Sequence, residues 1–374
     1  MFVGIQQNQM IAAIGNDVQP WRTGGETVLA QRVSKNFARS AKGDGVISAL
    51  TKNAVTVTYD DKELGEDVFE IGTIIGKGPG SYYPHDLITD YKVGDMVKNL
   101  DVVVFHKYYF KRDWWNPGQV VWRSGVLCLT GILDIPETHE DSSYSFENLT
   151  ERFVTSVVKT RSIIVDGRLN IRGLIKVGDM VEPRTILATL EEPLATDLSE
   201  ENPEAVEALR KLSQFNQRAD VHGEVIKIDV LYRADIEDMS ETMAKVVTDA
   251  DKARAKRVKE LRLKEATNGR ITTGNVRIDG DPLGESQVAI RIFMRYENGA
   301  GMGDKGTFAA RMKSVTSGVG HGVNKTEDGR TLDALFSGTS IANRIVTSAE
   351  TVGSTNLYLL YGTEKAVDIY FNEE

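Results

Sequence analysis

The sequence has one cysteine, Cys128, and five histidines among its 374 residues. A single thiol cannot form a disulfide within the chain, and no cysteines and histidines lie at the spacing of a zinc site. No run of 18 apolar residues occurs, and the N-terminus lacks the basic start and apolar stretch of a secretory signal. We therefore expect a soluble, intracellular protein in which Cys128 is a small core residue of an apolar strand.

Basic residues are also in the minority. The chain has 45 Lys and Arg against 54 Asp and Glu, a net charge of −9, which argues against a protein that coats nucleic acid through bulk positive charge. Acidic residues concentrate at positions 137–141 and 197–207, whereas basic residues concentrate at positions 305–330. This uneven distribution permits a local basic surface in an acidic chain.

Residues 303–313 form a glycine-framed turn that carries two lysines, Lys305 and Lys313. The preceding residues, 288–296, alternate apolar and polar side chains and predict a strand. Glycines allow close backbone approach, and lysine offers a compact positive charge that suits phosphate oxygens. The spacing therefore favours a phosphate-binding turn, although a solvated basic turn has the same pattern.

Several ordered blocks of this sequence are similar to the C-terminal part of the β subunit of multi-subunit, DNA-directed RNA polymerases. The resemblance extends over about residues 42–351, and many residues between the blocks do not match. The blocks that carry it are Glu140-Asp141 with Glu147 and Thr155-Ser156, Gly303-Asp304-Lys305 with Lys313, residues 327–335, and the segment from Ser340 to Arg344.

The resemblance implies roles for individual residues. Lys305 and Lys313 would reach the phosphates around the RNA 3′ end and the incoming nucleotide, and Arg344 would meet the substrate triphosphate. Lys305, Arg311 and Lys313 would contact nucleic acid. Glu140 and Asp141 would lie beside a second Mg²⁺ and act through water, although an acidic surface loop explains this pair equally well.

The primary Mg²⁺ is expected on a partner, because this chain has no Asp-x-Asp-Gly-Asp loop. Residues 279–282 read Asp-Gly-Asp-Pro and have only two of the three aspartates, so we expect a plain turn there. No residue of this chain is predicted to bind the metal directly, and the chain cannot polymerise alone.

The motif Lys-Val-Gly-Asp-Met-Val occurs twice, at residues 92–97 and 176–181, and each copy precedes an apolar strand. Such strand, turn and strand units occur in sandwich-barrel hybrid modules and also in lipoyl or biotinyl carriers. Neither copy provides a convincing modifiable lysine at a hairpin tip, which disfavours the carrier.

The predicted fold is mainly β (α+β): part of a double-psi β-barrel with an inserted flap or sandwich-barrel hybrid module and a few helices. Residues 1–40 would be an N-terminal extension. Residues 41–165 and 281–374 would be the two parts of the hybrid-binding and barrel region, and residues 166–280 would be the flap.

Helices are predicted at 202–212 and about 236–266. The first resembles the flap tip, where a promoter-specificity factor would dock, although a surface helix without a partner fits equally well.

Five aromatic residues occur between positions 108 and 115, and such a group could stack nucleic-acid bases. Tight spacing in a β-rich region more often indicates core packing or a subunit contact, which we favour here. The group comprises Tyr108, Tyr109, Phe110, Trp114 and Trp115.

A complete β subunit has further segments before and after the matched region, and a β subunit split into separate chains resembles the polymerases of giant tailed bacteriophages. The expected function is thus that of a C-terminal β-like subunit that transcribes phage genes by nucleotidyl transfer.

Expected partners are β′-like subunits, an N-terminal β-like subunit, DNA template, RNA transcript and nucleoside triphosphates, with no membrane. The expected location is the cytoplasm of the infected bacterium, a phage-induced compartment or the virion. The alternatives are a non-catalytic scaffold with a polymerase fold and a carrier or ligand-binding β protein.

Overall fold

The computed structural model describes residues 2–7, 9–10, 12–22, 24–77, 81–192, 214–272, 274–309 and 312–372. The predicted flap-tip helix at 202–212 lies outside these residues. The chain forms two compact units. Unit 1 comprises residues 1–74, 85–156 and 297–374, and unit 2 comprises residues 75–84 and 157–296.

Strands dominate both units, and the chain is mainly β as predicted. The first strands in chain order are β1 (Phe2–Gln7), β2 (Gln9–Met10), β3 (Ala38–Ser40), β4 (Gly45–Leu50), β5 (Ala54–Tyr59), β6 (Glu66–Glu70), β7 (Gly72–Lys77), β8 (Tyr82–Ile88), β9 (Met96–Val97), β10 (Val102–His106), β11 (Phe110–Arg112), β12 (Val120–Trp122), β13 (Val126–Leu127) and β14 (Thr130–Ile132). They are followed by β15 (Ser142–Phe146), β16 (Val154–Asp166), β17 (Asn170–Leu174), β18 (Met180–Val181), β19 (Ile186–Glu191), β20 (Gln214–Arg218), β21 (Gly223–Tyr232), β22 (Arg277–Ile278), β23 (Asp281–Pro282), β24 (Gln287–Gly299), β25 (Lys305–Phe308), β26 (Met312–Gly320) and β27 (Ala334–Phe336).

Helices are fewer and shorter. Those of the described residues are α1 (Gly25–Val28), α2 (Glu147–Thr150), α3 (Glu241–Glu260), α4 (Gly338–Arg344) and α5 (Thr347–Val367). Within the described part of the chain, no helix is both long and apolar enough to cross a membrane.

The main sheet of unit 1 has the strand order β13-β1-β25-β26-β15-β27-β14. It is mixed, because β15 pairs in parallel with β26 and β14 pairs in parallel with β27. Buried side chains line one side of the β25–β26 hairpin. Phe308 and Phe336 lie there with their ring centroids 4.6 Å apart, and Met312 and Ile341 belong to the same apolar cluster. This core fixes the hairpin that carries the two lysines.

A second sheet of unit 1 has the antiparallel order β6-β5-β4-β9. The alternation predicted for residues 54–59 is observed, since Val55, Val57 and Tyr59 are buried while the residues between them are half-buried.

Unit 2 is built around the strands β18-β21-β24-β16, and β17-β19-β20 form a further antiparallel sheet. One side of β24 places Val288, Ile290, Ile292 and Met294 in a core that α3 covers with Met243 and Val247. The opposite side of β24 faces the β22–β23 hairpin, where Ala289 packs in one cluster with Ile278 and Leu283.

The repeated motif has the same geometry in both copies. In unit 1 the backbone N–H of Lys92 donates to the Asp95 carboxylate at 2.7 Å, and in unit 2 the N–H of Lys176 donates to Asp179 at 2.9 Å. The glycines of the two turns, Gly94 and Gly178, have φ of 95° and 96°, a left-handed conformation that favours glycine. The predicted strand, turn and strand repeat is therefore confirmed.

The unit boundaries differ from the predicted segments. Unit 2 comprises residues 75–84 and 157–296, whereas the predicted flap comprises residues 166–280; the long strands β16 and β24 belong to the central sheet of unit 2 over most of their length. Residues 1–40, predicted as an N-terminal extension, belong to unit 1, and β1 lies between β13 and β25 in its main sheet.

Several predicted elements were also wrong in extent. The helix predicted at 236–266 is the shorter α3 after a 3₁₀ turn, and the predicted strand at 120–129 is divided into β12 and β13. The long C-terminal helix α5 was not predicted. Among the described residues, no sheet closes on itself as a barrel.

Candidate functional site

The two predicted lysines lie on strands of one hairpin rather than in its turn. In the β25–β26 pairing Lys305 lies opposite Val315, and Thr307 lies opposite Lys313. Residues opposite one another in an antiparallel pair have side chains on the same face of the sheet. Lys305 and Lys313 are therefore diagonal neighbours on one face, with Cα atoms roughly 7–8 Å apart. Both are exposed, whereas Phe308 and Met312 on the other face are buried. Neither ammonium group forms an ion pair within the described residues.

The neighbouring strands continue this face toward an acidic turn. Val315 pairs with Ser142 of β15 as well as with Lys305, so the three residues form one row across three strands. Asp141 immediately precedes Ser142. Two strand spacings place the backbone of Asp141 about 10 Å from that of Lys305. The sheet therefore brings the predicted acidic pair and the predicted lysines to one region of unit 1.

Glu140 and Asp141 form a strained turn at the start of β15. Their φ angles are 33° and 47°, in the left-handed region that side chains other than glycine, asparagine and aspartate rarely adopt. Two hydrogen bonds hold the turn: the N–H of Asp141 donates to Ser340 Oγ at 2.9 Å, and the Asp141 carbonyl accepts from the Val315 N–H at 2.9 Å. The Glu140 side chain is exposed.

Arg344 is the last residue of α4 and was expected in a short turn. Its Nη2 donates to Asp141 Oδ2, and the two side chains are 44% and 54% exposed. The contact joins residues that are 203 positions apart in the sequence. A guanidinium has five donors in a fixed fork, so this single pairing leaves Arg344 able to bind a further anion.

The position of Arg344 depends on the start of α4. Ser337 is the N-cap residue, and its Oγ accepts from the Ser340 N–H at 3.1 Å. The Asp134 carboxylate accepts hydrogen bonds from Ser337 Oγ and from the N–H and Oγ1 of Thr339. The hydrogen bond from Ser337, followed by those from the helix N-terminus, lowers the pKa of Asp134. Sequence reasoning missed Asp134 and Ser337 and assigned no role to Ser340. Serine is a preferred N-cap residue, but Gly338 and Thr339, which follow it, have low helix propensity and mask that signal.

Comparison with known proteins leaves the family open. No protein-family model matches the chain, and no curated protein is significantly similar to it.

The acidic pair does not form a complete metal site with its neighbours. Within the described ranges, no three histidine, cysteine, aspartate or glutamate side chains lie close enough together to hold a metal ion. Asp141 forms an ion pair with Arg344, so the carboxylate of Glu140 is the more accessible of the two to a ligand. The predicted water-mediated role of Glu140 and Asp141 beside Mg²⁺ stays a prediction.

The remaining sequence-based candidates are Arg311, Cys128 and the turn at residues 279–282. Arg311 lies outside the described residues, so its predicted contact with nucleic acid stays a prediction. Cys128 is buried as expected, and burial raises the pKa of its thiol. The turn expected at 279–282 is the two-residue turn of the β22–β23 hairpin, with φ of 51° at Asp279 and 105° at Gly280.

The aromatic group at 108–115 is divided. Phe110 is 3% exposed and packs in a core, as favoured by the sequence. Trp114 and Trp115 lie in the loop after β11 and are 87% and 83% exposed, so core packing was the wrong interpretation for them. A subunit contact or base stacking by the two tryptophans stays a prediction.

Proposed function

We propose that this chain is the C-terminal β-like subunit of a phage-encoded, multi-subunit RNA polymerase. The observation that carries the proposal is the shared exposed face of Lys305 and Lys313, in the sheet whose strand β15 begins directly after Asp141, the ion-pair partner of Arg344. Two ammonium groups without an ion-pair partner among the described residues, together with a guanidinium in one region, are suited to a polyphosphate. The sequence resemblance assigns the same residues to that task.

The proposed chemistry is nucleotidyl transfer, in which a 3′ hydroxyl attacks the α-phosphate of a nucleoside triphosphate and pyrophosphate leaves. Lys305 and Lys313 would stabilise negative charge on the phosphates, and Arg344 would hold the triphosphate in place. Mg²⁺, held mainly by a β′-like partner, would supply Lewis-acid stabilisation of the same phosphates. The carboxylate of Glu140 would orient water near that site. Because this chain provides cations but no metal triad, the proposed enzyme is active only as a complex.

The proposed architecture follows the same resemblance. The mixed main sheet of unit 1 would contribute to a double-psi barrel completed by partner chains, and unit 2 would be the flap with its sandwich-barrel hybrid part. The partners would be β′-like subunits, an N-terminal β-like subunit and a promoter-specificity factor, with DNA, RNA and nucleoside triphosphates as ligands. The compartment would be the cytoplasm of the infected bacterium.

The test is to isolate the tagged chain from infected cells, identify the proteins that accompany it by mass spectrometry, and assay the eluate for DNA-dependent nucleotide incorporation. We expect recovery of a chain with an Asp-x-Asp-Gly-Asp loop, together with activity. Recovery of this chain alone and without activity would contradict the proposal and favour a carrier or ligand-binding protein. An active complex that tolerates loss of both lysines would identify the chain as a scaffold.

A further inference from the structure

A second basic region lies in unit 2, in a cleft of about 840 Å³ between the central sheet and the β22–β23 hairpin. This volume is within the range of about 300–1,000 Å³ that is typical of small-molecule sites. Basic residues outnumber acidic ones in its lining. The charged lining residues are Lys77, Lys159, Arg277, Arg291 and Asp279.

Two of these cations have no acidic partner within the described residues. Lys77 and Arg277 are exposed at the cleft, and Arg277 makes only a 3.3 Å hydrogen bond to the Gly280 carbonyl. Lys159, in contrast, is paired with Asp220 at 2.8 Å. The cleft therefore has positive charge that its own side chains do not neutralise, although the whole chain is acidic.

Arg291 lies in the sheet that forms the wall of the cleft, and its position is fixed. Its Nη2 donates to Tyr82 Oη and to Asp279 Oδ1, both at 3.3 Å, and its guanidinium stacks over Phe293. Its Nε is buried with no acceptor in the described part of the chain. A guanidinium with five donors thus has hydrogen-bonding capacity beyond these contacts.

The hairpin that forms the opposite wall is held rigidly. Asp279 and Gly280 both have positive φ, as the tightest two-residue hairpin turn requires. The Asp279 carboxylate also accepts a hydrogen bond from Ser162 Oγ on β16, and Ile278 is buried beneath the hairpin. A cleft with fixed walls loses little conformational entropy when it binds a ligand.

We propose that this cleft binds a small polyphosphorylated ligand of nucleotide size, through residues other than those of the Lys305–Lys313 hairpin. Arg277 and Lys77 bind the phosphates, and Arg291 provides a fixed donor on the wall. Tyr82 and Tyr296, which also line the cleft, offer aromatic surface to a base. All lining residues of the cleft belong to unit 2, and none of them belongs to the active centre proposed above.

The experiment is isothermal titration calorimetry of the full chain with ATP and, separately, with inorganic tripolyphosphate. We expect dissociation constants in the micromolar range and at least a tenfold weakening in Arg277→Gln and in Lys77→Gln. Lys62→Gln, at an exposed position on the turn between β5 and β6, should bind within twofold of the unmodified chain. The Lys305→Ala/Lys313→Ala double variant tests whether ATP binds instead at the active centre proposed above. Tighter binding of ATP than of tripolyphosphate would identify a nucleotide, and equal binding would identify a polyphosphate group alone.

Three results would overturn the proposal: no binding of either probe below millimolar concentration, binding that Arg277→Gln leaves unchanged, and binding lost only in the double lysine variant. An eight-nucleotide single-stranded RNA is the further control. If RNA binds through Arg277 while neither ATP nor tripolyphosphate does, the cleft belongs to a nucleic-acid path and the small-ligand site is rejected. The two proposals can fail separately. The polymerase complex could be active although the cleft binds neither probe, and the cleft could bind a probe although the complex is inactive.

Discussion

Arg344 at the end of α4 binds the carboxylate of Asp141, the second residue of a strained turn at the start of β15. Both side chains are about half exposed, and exposed ion pairs contribute about 0–1 kcal/mol to stability. The pair therefore does little for folding. Its stronger effect is on orientation, because it holds the guanidinium beside the row that contains Lys305.

If Arg344 holds the substrate triphosphate, Arg344→Ala in the assembled complex should raise KM for nucleoside triphosphates by roughly 10- to 100-fold, the loss expected for a charged hydrogen bond. Asp141→Asn should raise KM by a smaller factor, since the guanidinium is retained but less well oriented. Steady-state kinetics on a primed RNA–DNA scaffold measures both. An unchanged KM in Arg344→Ala would remove the assignment.

The aromatic pair behind the lysine hairpin should be essential for folding of unit 1. Phe336 is fully buried against Phe308, and truncation of a buried phenylalanine costs about 3–5 kcal/mol. Phe336→Ala should therefore lower the midpoint of chemical denaturation markedly. Phe371→Ala is the matched control, because Phe371 is 81% exposed. Equal effects of the two variants would contradict the packing described for this core.

The Asp134 carboxylate should make the stability of unit 1 depend on pH. Its pKa is lowered by the hydrogen bonds from Ser337 and the start of α4, so its contribution is full above the ordinary aspartate pKa of about 4. That contribution disappears as the pH falls through the lowered pKa. Asp134→Asn should thus reduce Tm at pH 6 and reduce it less at pH 3, as measured by differential scanning calorimetry. An equal loss of Tm at pH 6 and at pH 3 would contradict this dependence.

The two copies of the repeated turn should respond alike to the same substitution. Gly94 and Gly178 have nearly identical positive φ, and a left-handed residue with a side chain costs about 1–2 kcal/mol. Gly94→Ala and Gly178→Ala should each destabilise the unit that contains the turn by about this amount in urea denaturation. Gly173→Ala is the control, since nothing lies within 4 Å of an added Cβ and φ is not positive. A neutral Gly94→Ala would mean that the turn relaxes at no cost.

Local sequence patterns predicted the elements in which neighbouring residues decide the structure. Alternating side chains predicted β5 and β21, because one face of each strand is more buried than the other. The strand β24 was also predicted, although both of its faces are buried between residues 288 and 294 except at Arg291. The break between β12 and β13 was not predicted, because it depends on distant backbone partners: Tyr109 and Asp17 accept the N–H groups of Arg123 and Ser124.

In the candidate site, too, local sequence patterns predicted some features, whereas others depend on contacts between distant residues. The spacing of Lys305 and Lys313 was visible in the sequence, but their common face depends on the register of β25 and β26, which a turn prediction did not include. The contact between Asp141 and Arg344 spans 203 residues and follows from no local pattern. Only the resemblance to polymerase β subunits placed these residues in one site. The cleft around Arg277 had no sequence signal, since its cations come from separate segments.

The most direct test of the polymerase account is the rate of primer extension by the assembled complex on an RNA–DNA scaffold, with Lys305→Ala and Lys313→Ala. Each substitution should slow nucleotide addition by orders of magnitude while the complex still assembles, because both lysines are exposed and have no structural partner in the described residues. Lys62→Ala, on the exposed turn between β5 and β6, should extend at the normal rate. Normal extension by both active-site variants would contradict the central claim.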